Sequence, residues 1–196
     1  MLIYYQRNLP HRLPPGETIF VTFRLAGSLP LEVLGRLRQE WEELPETTDA
    51  AGAYARQRRY FGKFDDLLDA ATTGPVWLGN TAIAQLVQQA LHWADVRKYQ
   101  LVCYSIMSNH VHLVVSLPDD APLLARTLQA LKGYTGHAAN ALLGRTGQFW
   151  QRESYDHVVR DGPELERVVA YVLNNPVKAG LVDDWQQWPY NYRAPQ

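Results

Sequence analysis

A chain of 196 residues with 46% hydrophobic and 20% charged side chains has enough apolar material for one core, which excludes general disorder. A net charge of −1 argues against holding long duplex DNA by bulk electrostatics, while six tryptophans and eleven tyrosines leave base stacking on single strands open. No apolar run approaches the roughly 20 residues of a membrane span and no apolar stretch follows a basic start, so the expectation is a cytoplasmic protein with no membrane partner.

Residues 1–17 carry Pro10, Pro14, Pro15 and Gly16 without periodicity and read as an extended arm. Residues 18–25 (TIFVTFRL) alternate and are β-branched and aromatic, which predicts a strand, and a helix is expected over 31–44. Acidic residues and Pro45 break that pattern before a second helical stretch at 51–70. It lies within an insertion of about 45–75, with Arg56, Arg58, Arg59 and Lys63 on its first half and Asp65, Asp66 and Asp69 on its second. A solvated helix of mixed charge is the plainer reading of it, and a DNA-facing one the sharper.

Asn80 is placed to cap a helix over 81–95, where Ile83, Leu86, Val87, Ala90, Leu91 and Ala94 recur at helical spacing. Two apolar, β-rich runs at 99–106 and 110–117, separated by Met107, Ser108 and Asn109, predict an antiparallel hairpin. Cys103, the only cysteine, falls in the first run and reads as a buried structural thiol of a reducing compartment. A helix is expected over 122–143, closed by Gly144, then short extended pieces at 148–152 and 155–159. Gly162 and Pro163 open a last helix that Pro176 should stop, and the Trp-, Pro- and Tyr-rich tail 183–196 should pack as loop. The order predicts an α+β fold, an antiparallel β-sheet with helices packed on it, here on one face, with residues 18–182 as a single domain.

His110-Val111-His112 is the sharpest chemical feature. Residues two apart on a strand share a face, so both imidazoles can reach one divalent ion while Val111 points to the core. A hydrogen-bonded structural pair fits the same spacing. Tyr171 and Asn175 are four apart on the expected last helix and share a face, and Tyr134 lies on the preceding helix with polar neighbours His137 and Asn140. Tyr104 and Tyr155 fall in strand runs and read as structural, and Asn174 as part of the helix stop.

The strings MSNHVHLVV, GQFWQRESYDHVVRD and YVLNNPVKAGLV, with FVTFRLAGSLP and LKGYTGHAANALLGRTG, resemble the REP-associated tyrosine transposases over about residues 14–188. These are HUH enzymes, relatives of the insertion-sequence transposases that cut single-stranded DNA. The resemblance implies a ferredoxin- or RRM-like HUH endonuclease fold, and Mg²⁺ or Mn²⁺ on His110 and His112. Asn175 would be the third ligand, where insertion-sequence relatives carry glutamine, and Tyr171 the nucleophile one helical turn before it, with Tyr134 as its rival. It further implies cleavage and rejoining of hairpin DNA from repeated extragenic palindromes through a 5′-phosphotyrosine, by a protein read as a monomer. Arg12, Arg145, Arg152, Arg160 and Lys178 are candidate phosphate contacts, and Phe149 or Trp150 candidate stacking rings. Competing readings are a non-catalytic RRM-like binding module, a zinc hydrolase that activates water on the histidine pair, and a domesticated regulator of repeat elements.

Overall fold

The computed structural model describes residues 4–6, 10–12, 15–44, 49–71 and 73–195. In chain order these form β1 (Tyr4–Gln6), β2 (Pro10–Arg12), β3 (Thr18–Leu25), α1 (Leu31–Glu43), α2 (Ala50–Asp69), α3 (Thr81–Ala94), β4 (Gln100–Ile106), β5 (His110–Ser116), α4 (Leu124–Leu142), β6 (Trp150–Val159), α5 (Gly162–Lys178) and β7 (Asn191–Arg193). Short 3-10 turns lie at Trp77–Gly79 and Trp185–Gln187. The first two strands pair with each other, and the other five make one antiparallel sheet in the order β6-β3-β5-β4-β7. No helix of the described residues is long and apolar enough to cross a membrane.

Alternation along the strands sorts side chains onto two faces. Ile19, Val21, Phe23 and Leu25 of β3, with Val111, Leu113 and Val115 of β5, meet Ile83, Val87 and Leu91 of α3 and Leu124, Leu128 and Leu131 of α4 in the larger core. Phe20 and Val114 turn the other way and meet Phe61 of α2 and Val169, Val172 and Leu173 of α5 in a second, smaller core. The sheet is therefore covered on both faces, not one. The apolar face of α2 was hidden in sequence by the charges around it.

Three further expectations are corrected. The extended pieces at 148–152 and 155–159 are one strand, β6, whose pairing with β3 continues from Trp150 to Val159 with a bulge. Helix α5 runs through Pro176 to Lys178: the proline forfeits one intrahelical hydrogen bond, and the turn beyond it is still closed by the Ala179 amide on the Asn175 carbonyl and the Gly180 amide on the Val177 carbonyl, both at 2.9 Å. The tail is not merely loop: β7 adds an edge strand to β4, with Tyr192 stacked on Tyr104 at 5.4 Å between ring centroids. Three residues are too short to show alternation in sequence. Asn80 does cap α3, accepting from the Ala82 amide at 2.9 Å. Cys103 is buried and unpaired, and burial pushes its thiol up to about 12, so it stays protonated and inert.

Candidate metal and nucleophile site

Strand β5 is central in the sheet and bonds to β3 and β4 on either side, so its side-chain directions are fixed twice over. His110 and His112 point together toward α2 and α5, both fully buried, with their Nε2 atoms 3.0 Å apart. The outer nitrogens are held as well. Asn109 donates from Nδ2 to the Leu68 carbonyl at 2.9 Å, which turns its Oδ1 onto His110 Nδ1 at 2.6 Å. The Thr22 hydroxyl lies 2.8 Å from His112 Nδ1, directly across the ladder. With its Nδ1 proton taken by Asn109, neutral His110 presents a bare Nε2 to the site. Burial lowers the pKa of both rings, that of His110 to about 3, and the neighbouring Lys178 lowers both further, so both imidazoles are neutral at physiological pH.

Opposite them stands Asp65 of α2, fully buried. Its Oδ1 lies 3.3 Å from His112 Nε2, and its Oδ2 accepts from the Tyr171 hydroxyl and, at 3.4 Å, from Asn175 Nδ2. Burial first, and then repulsion from Asp69, raises the Asp65 carboxyl to about 8. Asp69, one turn on, approaches His110 Nε2 to 3.9 Å and pairs with Lys178 at 3.0 Å. Tyr171 sits edge-on to His112 with ring centroids 5.7 Å apart, flanked by Phe20 and Phe61.

The donor set suits a hard divalent cation. Asp65, His110 and His112 each offer a ligand atom within 4.8 Å of the others, all three residues buried. Asp65 Oδ1, Asn175 Oδ1 and Asp69 Oδ1 are buried with no hydrogen-bond donor, and acceptors in that condition are costly unless something positive satisfies them. Two imidazoles with an amide oxygen and carboxylates could together hold a divalent cation.

The four residues expected from sequence, His110, His112, Tyr171 and Asn175, thus lie together around one carboxylate. Tyr134 does not join them. It is 63% exposed on α4, across the sheet from the histidines. Tyr104 is fully buried, with its hydroxyl on Gln88 and His92, Tyr155 stacks on Phe61, and Asn174 bonds back to the Ala170 carbonyl. Phe149 and Trp150 are core residues, the indole donating to Thr135, and so are closed to stacking. Lys178 is held by Asp66 and Asp69, Arg160 by Glu164, and Arg145 lies over Trp77, while Arg152 is on an exposed stretch of β6. The Arg12 side chain is outside the described residues.

Asp65, Asp69, Thr22 and Asn109 were missed. A signal for Asp65 existed: it falls on one helical face with Phe61 and Leu68, four before and three after, so a carboxylate stands on an apolar stripe. Within the run of Asp65, Asp66 and Asp69 it passed for a solvated charge.

Comparison with known proteins bears on the fold and the family. A solved structure of a REP-associated tyrosine transposase bound to a REP hairpin superposes with a TM-score of 0.59 at 17% identity, covering 95% of this chain and 80% of that one, a likeness of fold. A REP-associated tyrosine transposase of Escherichia coli is 26% identical over 96 residues, covering 48% of this chain and 54% of its own. A Haemophilus influenzae protein assigned to the same class is 29% identical over 102 residues, covering 47% of this chain and 58% of its own. The matches thus span little more than half the length of these curated relatives. The family model described as "Transposase IS200 like" matches residues 77–175, from the turn before α3 to Asn175, which includes His110, His112 and Tyr171, and the chain belongs to that family.

Proposed function

We propose that this protein is a metal-dependent single-strand DNA endonuclease and strand transferase that cleaves and rejoins hairpin DNA of the REP type. Tyr171 is the nucleophile and His110, His112 and Asn175 are metal ligands, joined by Asp65. The observation that carries the reading is the meeting of the Tyr171 hydroxyl and His112 Nε2 on one buried carboxylate, Asp65, with His110 Nε2 only 3.0 Å from His112 Nε2. The REP hairpin is proposed from the relatives.

When bound, Mg²⁺ or Mn²⁺ would polarise a non-bridging oxygen of the scissile phosphate and offset the charge that builds there. The chain's residues do the rest. Asn109 and Thr22 fix the imidazole orientations, which removes a reorganisation cost at the reacting phosphate. The Tyr171 oxygen attacks phosphorus in line, a phosphotyrosine bond to the DNA 5′ end forms, the bond to the 3′ oxygen breaks, and that oxygen leaves with a proton as a free 3′-OH. The tyrosine ester conserves the bond energy, so the same 3′-OH, or another, can reverse the step without ATP.

The test is a covalent adduct. End-labelled single-stranded hairpin DNA incubated with Mn²⁺ should give a protein-linked band on a denaturing gel, lost with EDTA and in Tyr171→Phe and retained in Tyr134→Phe. Loss in Tyr134→Phe alone would move the nucleophile, and DNA binding with no cleavage of either strand would leave a binding module.

A further inference from the structure

Beside this site a cleft of about 530 Å³ opens between α1, α2 and the β3–β6 half of the sheet. Thr22 and Arg24 of β3 line its floor, Trp41 of α1 one side together with Arg38, which is paired with Glu42 at 2.9 Å, Tyr60 and Phe64 of α2 the other, and Glu153 of β6 stands at its edge. It shares a wall with the histidine site, because Thr22 is the residue that meets His112 and Arg24 pairs in register with His110. The Cβ atoms of cross-strand neighbours on one face stand only about 5 Å apart, so the cleft floor at Arg24 adjoins the strand position of His110.

Two features specify an occupant. Arg24 is 6% exposed and bonds only to the Ser28 hydroxyl at 3.0 Å and the Leu25 carbonyl at 3.4 Å, and no carboxylate among the described residues forms an ion pair with it. A buried guanidinium without a counterion is costly, and an anion arriving in the cleft removes that cost. Its fork geometry suits a phosphate. Tyr60 and Phe64 present near-parallel rings, 13° apart in plane, and Trp41 meets Tyr60 edge-on at 5.1 Å, which makes a half-buried aromatic wall beside the cation. Anion next to flat π surface is the chemistry of a nucleotide.

We propose that this cleft binds one unpaired nucleotide of the DNA strand adjacent to the cleaved phosphate, its phosphate on Arg24 and its base against the Tyr60–Phe64 wall. The proposal rests on the single-strand cleavage reading. It adds a subsite that α1 and α2 build from residues before the family-matched segment, which begins at residue 77.

The full chain is titrated with a synthetic DNA hairpin carrying unpaired flanks on both sides. The flanks hold 2-aminopurine at one position at a time, or a neutral methylphosphonate in place of one phosphate at a time. In wild type and Tyr60→Phe, one flank position should be quenched. Tyr60→Leu should restore its fluorescence and weaken binding about tenfold. The methylphosphonate next to that base should weaken wild type about tenfold and Arg24→Met hardly at all, since the variant has already lost the contact. Equal penalties in wild type and Arg24→Met, or quenching unchanged in Tyr60→Leu, overturn the subsite. Because the methylphosphonate acts on the wild-type protein, a variant that folds poorly does not shield the proposal. Adduct formation by wild type with no cleft effect overturns the subsite alone, and failure of wild type both to bind single strands and to form the adduct overturns it together with the cleavage reading.

Discussion

Asp65 is the residue on which most of the site converges, and it is a carboxylate in a place that disfavours its charge. Replacing it with asparagine keeps an oxygen for the Tyr171 hydroxyl and removes the group whose burial is costly. Asp65→Asn should therefore melt no lower than wild type without metal, while the rise in Tm on adding Mn²⁺ shrinks and the Mn²⁺ affinity falls about tenfold or more, measured by scanning fluorimetry and calorimetry. A lower metal-free Tm with an unchanged metal response would make Asp65 structural. The histidine pair was legible as a periodicity of two on a strand, and Tyr171 and Asn175 through the family resemblance, their spacing of four only placing them on one helical face. Asp65 was not, because its role depends on which face of a distant helix meets the sheet, and that is set by Phe61 and Leu68 packing and by no local spacing.

At the scale of elements, α2 is pinned to the sheet by more than its apolar face. Glu164 near the start of α5 accepts from the Tyr54 hydroxyl of α2, from His157 Nε2 of β6 at 3.1 Å and from the Arg160 amide at 2.8 Å. Burial works to raise its carboxyl, but these hydrogen bonds outweigh burial and pull it down from the ordinary 4.5 to about 2. A carboxyl with a lowered folded pKa contributes stability that is whole above the unfolded value and lost as pH falls through the folded one. The contribution should therefore fade between about pH 4.5 and 2. Glu164→Gln should lower the Tm at neutral pH, and the gap to wild type should close across that interval, as melts at stepped pH would show. Most elements were readable in sequence, β3, α3 and the β4–β5 hairpin above all, since alternation, an Asn80 cap and a short connection are local signals. What sequence could not supply was adjacency: that β3 would lie between β6 and β5, that a second helical layer would form, and that three tail residues would find the edge of β4.

For the whole molecule, a net charge of −1 limits how the protein can hold DNA. With no large positive field, binding should rest on a few phosphates and on stacked bases. For single strands each neutralised phosphate contributes about 0.7 to the slope of log affinity against log salt, so about three contacts predict a slope near −2. Anisotropy titrations of a fluorescent hairpin over a salt series would measure it, and a slope several times steeper would point to a broad electrostatic surface that the sequence does not advertise.

The groups around the candidate site come from four separate stretches of chain, at Thr22, Asp65, Asn109 to His112, and Tyr171 with Asn175. No two neighbouring elements could assemble that ring of donors, and the central strand that carries Thr22 must already be inserted between β5 and β6 for His112 to be oriented. A partly folded chain therefore offers a cation only a fraction of these donors. The stabilisation a cation confers should fall mainly on the finished structure. On the proposed function, metal occupancy would then act as a proofreading step on folding: the error that puts one strand out of register would also separate the donors of the candidate centre, and such a molecule would be chemically silent on DNA.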